Sequence, residues 1–148
     1  MQALIALMDL ERRWAISDRD PVRHWHKGRV ALLGDAAHPT LQSLAQGACM
    51  AIEDAFCLAG LIHAARNDVS AAFGRYERAR LLRTARVQLE SRALWEFYHA
   101  EGIAREVRNA STADWSEEHM FKCLAWLYDG FEWPTETMVS PKTAASGR

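Results

Sequence analysis

Apolar residues fill almost every position from Met1 to Leu10 and run into Glu11-Arg12-Arg13, which predicts the last turns of a helix followed by a polar turn. Arg13 to Ser17 alternates weakly, as a short strand would, until Asp18-Arg19-Asp20-Pro21 breaks it. Gly28-Arg29-Val30-Ala31-Leu32-Leu33-Gly34 is an apolar run of strand length bounded by glycines, the pattern of a strand buried on both faces of a sheet. No second run of that kind follows. From Gly47 the pattern turns helical: Ala48, Ala51, Ile52, Ala55, Ala59 and Ile62 recur at helical spacing and are mostly small, so this helix can approach a sheet or a cofactor closely. It is expected to end near Arg66-Asn67. A second helix is predicted from about Ser70 to Phe97, anchored by Phe73, Tyr76, Val87 and Leu94 among many arginines. Asp114 or Ser116 would cap a last helix, striped by Met120, Cys123, Leu124, Leu127 and Phe131. Beyond Trp133 the composition turns to Thr, Ser, Ala, Gly and Lys, which predicts a flexible tail over 134–148.

A chain of 148 residues, 49% hydrophobic, builds one core but hardly two. Eighteen basic against nineteen acidic residues leave a net charge of −1, too little field for a nonspecific nucleic-acid or anionic-membrane binder. Cys49, Cys57 and Cys123 are scattered and form no CxxC, which points to a reducing compartment rather than a disulfide framework. Charged residues such as Asp35 and the Glu53-Asp54 pair interrupt every candidate membrane span, and no basic-then-apolar leader opens the chain. The expectation is a soluble, cytoplasmic protein. Its one strand lacks sheet partners, so the chain reads as part of something larger.

Candidate chemistry concentrates in Gly34-Asp35-Ala36-Ala37-His38-Pro39, followed by Gln46-Gly47-Ala48 and Ala51-Ile52-Glu53-Asp54-Ala55. A carboxylate closing a buried strand can accept hydrogen bonds from vicinal hydroxyls, and Asp35 holds that position. Unpaired N–H groups at Gly47, Ala48 and Cys49, with the positive end of the helix dipole, favour an electron-rich ligand atom. A flavin nucleotide suits both features; the same residues also suit a capped turn and an ordinary helix start.

Other chemistries find less support. His24, His26, His38 and a cysteine lack recognisable zinc spacing, so no metal is expected. Ser43 stands outside any GxSxG. Glu53 and Asp54 occupy adjacent helical positions about 100° apart, which predicts a solvated or capping role rather than a paired acid and base. The arginines of the second helix read as a solvated face with a few ion pairs. Trp115, Trp126 and Trp133 with Phe121, Tyr128 and Phe131 make a terminal aromatic cluster, either core or an exposed patch.

The Gly-Asp-Ala-Ala-His run, the Gln46-Gly47 pair and the helix with Glu53-Asp54-Ala55 resemble the second flavin-binding motif of the class A flavoprotein monooxygenases, the p-hydroxybenzoate and salicylate hydroxylase family. Trp25 to Val30 is similar to that family's lead-in strand, and Tyr76 to Arg86 to its following long helix, so the likeness covers most of residues 12 to 95. Leu41-Gln42 replaces the usual Pro-Pro pair, Ala45 the first glycine of Gly-Gln-Gly, and Cys49 a frequent asparagine. With Pro39-Thr40-Leu41-Gln42 and Leu44-Ala45-Gln46-Gly47-Ala48, these departures look most like the 3-hydroxybenzoate 6-hydroxylase branch.

The resemblance implies a partial, Rossmann-like α/β FAD-binding domain over 1–133, mostly helical in this chain with one or two short strands. It implies that Asp35 holds the ribityl hydroxyls, that Gly34 makes the close strand-to-loop turn, and that the backbone at Gly47, Ala48 and Cys49 meets the isoalloxazine edge. His38 would mainly shape the loop, and Gln42 would face the substrate. The implied activity is hydroxylation of a phenolic or aromatic carboxylate with FAD, NAD(P)H and dioxygen. A GxGxxG motif and a central Asp-Gly motif are absent, so the chain reads as the C-terminal portion of such an enzyme, with the N-terminal portion or a second copy as possible partners. The alternative is a non-catalytic helical interaction fragment that does not bind FAD alone.

Overall fold

The computed structural model describes residues 7, 11, 15–66, 68–131 and 133–134. Apart from Leu7, the predicted helix end at Met1 to Leu10 lies outside the described residues, as do the start of the weak strand at Arg13 and all but Pro134 of the tail. Among the described residues four α-helices follow one hairpin: β1 (His26–Lys27), β2 (Val30–Ala31), α1 (Gly47–Ala65), α2 (Val69–Tyr98), α3 (Gly102–Thr112) and α4 (Glu117–Tyr128). This mostly helical architecture with two short strands is the partial fold that the sequence pattern implies.

The glycine-bounded run departs from expectation. Only Val30 and Ala31 are strand, paired antiparallel with Lys27 and His26 across a turn in which Gly28 takes φ +59°. Val30 is 68% exposed, so the strand is not buried on both faces. The physical reason is pairing: among the described residues the sheet has only these two strands, and an apolar run without flanking strands stays open on its faces and edge. Residues 15–17, read as strand, carry no regular structure.

α1, α2 and α4 fall close to where the sequence pattern places them, whereas α3 is a helix the pattern does not predict. α1 ends at Ala65; α2 opens on Asp68, whose side chain accepts the Ala71 N–H at 2.9 Å. Ser116, rather than Asp114, caps α4 by accepting from the His119 N–H. The core lies between α1 and α2. Cys57 and Leu61 of α1 meet Ala72 and Tyr76 of α2, with Trp25 and Ala37 closing that end. Met50, Val87 and Leu127 form a second cluster where α4 touches the pair.

The buried face of α1 is not the one its small residues mark. Met50, Asp54, Cys57, Gly60 and Leu61 are buried, whereas Ala48, Ile52, Ala55 and Ala59 are exposed. α1 is also long and apolar enough to cross a membrane by length and composition, contrary to the expectation that charges interrupt every such run. Glu53 and Asp54 lie in its first half, both ion-paired to α2.

Candidate functional site

The site is built from the Gly34–His38 loop and the N-terminus of α1. Gly34 has φ +58°, and a Cβ there would stand 3.1 Å from the Ala51 Cβ. Glycine therefore satisfies two demands at once, a left-handed backbone and close approach of the loop to the helix. The Gly34 carbonyl accepts the N–H groups of Ala37 and His38 at 2.8 and 2.9 Å, closing the loop into a tight turn. Arg19 donates to the Ala36 and Ala37 carbonyls, and Gln88 of α2 donates to the Pro39 carbonyl at 3.0 Å. Thr40 donates to the Ser91 hydroxyl of α2 at 2.9 Å, which fixes the loop's far end.

At the apex of this turn Asp35 is exposed, and its carboxylate reaches the start of α1: a Cβ on Gly47 would lie 3.7 Å from the Asp35 Oδ1. The helix opens without a side-chain cap, and the first ladder bond is donated by the Met50 N–H to the Gln46 carbonyl at 2.9 Å. The N–H groups of Gly47, Ala48 and Cys49 therefore precede the intrahelical ladder. Ala48 and Cys49 are exposed and Gly47 is half-buried, so carboxylate and amides border one accessible surface. Such a pairing suits a ligand that offers hydroxyl donors on one side and an electron-rich edge on the other. Gln42 is exposed on the short 3₁₀ turn that precedes the helix, and its carbonyl accepts the Ala45 N–H at 2.8 Å. Ala45 itself adopts the left-handed conformation, φ +54° and ψ +32°. A glycine would take this conformation without strain.

Beneath the loop lies a buried charge network that overturns two expectations. Asp54 is fully buried, and its Oδ2 accepts from the Gly34 N–H at 3.1 Å and from His38 Nε2 at 2.5 Å. Its Oδ1 accepts from Arg80 Nε at 2.8 Å. Burial alone would push the Asp54 carboxyl up, but hydrogen bonds from His38 and Arg80 and their charges hold it below the usual aspartate range. Asp54 is thus neither solvated nor a cap. Although adjacent helical positions diverge, the broad guanidinium of Arg80 spans both acids: its Nη1 stands 2.6 Å from Glu53 Oε2, in an ion pair without hydrogen-bond geometry. Nor are the arginines of α2 one solvated face, because Arg80 is fully buried.

Arg83 extends the network. It grips Glu53 through two bonds of 2.7 and 2.8 Å and donates to the Trp126 and Leu127 carbonyls at the end of α4. Burial raises Glu53 as well, and Arg83 with Arg80 outweighs it, so the carboxyl lies below its ordinary value. Elsewhere, His24 and His26 turn to the Glu77 carboxylate at 3.5 and 2.9 Å, and the Trp25 N–H donates to the same group. Among the described residues no three His, Cys, Asp or Glu side chains cluster to hold a metal ion. The aromatic residues divide: Phe131 packs edge-on to Trp133 beneath Arg80, while Phe121 and Tyr128 stay exposed.

Comparison with known proteins adds a family and a scale. Residues 5–91 match the FAD binding domain family. The chain is 47% identical over 125 residues to a 3-hydroxybenzoate 6-hydroxylase of Polaromonas naphthalenivorans, covering 84% of this chain and 31% of that protein. It is 46% identical to 3-hydroxybenzoate 6-hydroxylase 2 of Aquipseudomonas alcaligenes, over 84% of this chain and 39% of the relative. The structure of Klebsiella pneumoniae HpxO complexed with FAD and uric acid superposes with a TM-score of 0.72 at 32% identity, over 83% of this chain and 32% of that one. The chain therefore spans about a third of the length of the relatives it matches.

Proposed function

Because this chain belongs to the FAD binding domain family, we propose that its loop-to-helix junction holds the ribityl and isoalloxazine part of FAD in an aromatic-ring monooxygenase. The observation that carries this reading is the Asp35 carboxylate set against the open N-terminus of α1. Asp35 accepts hydrogen bonds from the ribityl hydroxyls, and the amides of Gly47, Ala48 and Cys49 face the electron-rich edge of the ring. Gly34 lets the loop lie close enough to the helix for both contacts to reach one ligand. When bound, the flavin supplies the redox and oxygen-transfer chemistry. The hairpin, loop and α1 are in this reading one part of a Rossmann-like fold, completed by the polypeptide that corresponds to the remainder of the relatives. A phenolic carboxylate of the 3-hydroxybenzoate type is the substrate class, with Gln42 on its side of the site, and NAD(P)H and dioxygen are the co-substrates; the names of the relatives support the substrate class.

Titration of FAD with the full chain, followed by flavin fluorescence and visible absorbance, tests the cofactor reading. Wild type should perturb the flavin spectrum, and Asp35→Ala should weaken the interaction by about tenfold or more, the scale of hydrogen bonds to a charged acceptor. A flat titration for both proteins would replace this reading with that of a helical interaction module that does not bind FAD alone.

A further inference from the structure

Polar groups from both ends of the Gly34–His38 loop and from α2 meet on the one Asp54 carboxylate. Oδ2 takes the Gly34 N–H from one end of the loop and His38 Nε2 from the other; Oδ1 takes Arg80 Nε from α2. Between the two loop contacts stands Asp35, which has no such tether of its own and is exposed. Asp54 lies on α1, the same rigid helix whose first amides face Asp35, two turns further along. A carboxylate at that place ties both ends of the loop to the helix, alongside the Arg19 and Gln88 bonds to the loop's carbonyls.

We propose that Asp54 is a positioning residue for the flavin site: with His38 as the loop's side-chain donor and Arg80 as its ion-pair partner, it clamps the Gly34–His38 turn so that Asp35 and the α1 amides face one ligand. This inference rests on the cofactor reading for its functional consequence, and on geometry alone for the clamp. The chemistry requires a carboxylate. With Arg80 donating to one oxygen and Gly34 and His38 to the other, every partner is a donor, and the amide of an asparagine would turn a donor toward one of them. His38 in turn must present an N–H at Nε2, which its neutral Nε2–H tautomer and its protonated form both do. Trp25 packs against the His38 ring, with centroids 5.4 Å apart, and limits its rotation.

The test compares the wild-type chain with Asp54→Asn, His38→Leu and His38→Gln, reading amide hydrogen exchange by NMR and FAD affinity by fluorescence. Asp54→Asn and His38→Leu should speed exchange at Gly34 at least tenfold while α1 and α2 keep their protection, and should weaken FAD binding about tenfold. His38→Gln, which retains an N–H donor, should recover part of both effects relative to His38→Leu. His38→Leu leaves the Asp54 and Arg80 pair intact, so it isolates the loop side should Asp54→Asn loosen the helices. Wild-type exchange at Gly34 in both Asp54→Asn and His38→Leu overturns the clamp, as does loss of protection spread evenly over the helices in both. If wild type leaves FAD unperturbed, the cofactor reading fails while the exchange pattern still decides the clamp. If wild type binds and Asp35→Ala weakens it but Asp54→Asn binds like wild type, the positioning role fails alone.

Discussion

Two halves of the molecule bury charge and apolar surface in opposite ways. The α1 and α2 pair buries Asp54 and Arg80 in its interior together with Tyr76, Leu61, Met50 and Val87. α3 and α4 keep their charges at the surface, and with them most of their large apolar side chains: Ile103, Val107, Met120 and Phe121 are at least half exposed, and no residue of α3 is buried. Amphipathic pattern alone therefore does not make a core. α1 and α2 have each other as partners, whereas α3 meets the end of α2 through Arg108, which donates to the Phe97 carbonyl and lies over its ring, and α4 touches the body mainly through Leu127, Trp126 and the carbonyls that Arg83 binds. Removal of a partner should thus be costly in the first region and nearly silent in the second.

The largest effect expected is at Arg80. Arg80→Ala leaves Asp54 buried without its cation and should cost about 3–5 kcal/mol in urea denaturation, the range for breaking a buried pair. Val107→Ser on α3 should change the same measurement by no more than about 0.5 kcal/mol. Equal losses at the two positions would abolish the contrast.

Acid should separate the halves next. Asp54 and Glu53 are held below their ordinary values of 3.8 and 4.5, so the stability they contribute is present above those values and is lost as pH falls through the lower folded ones. Amide exchange measured from pH 5 downward in steps should show α1 and α2 losing protection in this window. The exposed pair of Lys122 and Glu118 on α4 should contribute little to any change.

The smallest effect sharpens the comparison within the first region. Ala45 holds a left-handed backbone that costs an alanine about 1–2 kcal/mol, against about 0.4–1 kcal/mol of extra unfolded-state entropy for glycine. Ala45→Gly should therefore stabilise the protein by roughly 0.5–1 kcal/mol, read as a higher urea midpoint, with the helices unchanged.

Much of this arrangement was legible along the chain. The bounds of α1 and α2 follow, to within a residue or two, from the Gly47 start and the helical recurrence of apolar positions, and Gly34-Asp35 marks the turn where a carboxylate meets a helix start. α3 has only a short apolar recurrence, Ile103 and Val107, on an 11-residue segment, and gave no comparable signal. The run at Gly28 to Gly34 carried a strong strand signal, but strand length depends on neighbours that supply the hydrogen bonds.

The amino-acid order by itself determined what is local: where α1, α2 and α4 run and where the Gly34 turn falls, because periodicity and φ angles depend on residues a few positions apart. Tertiary structure alone decided which face of α1 is interior and that Arg80 and Asp54 lie there. Burying a charge is tolerable only beside its counter-charge, and here that partner comes from another helix, 26 positions away, which no local pattern encodes.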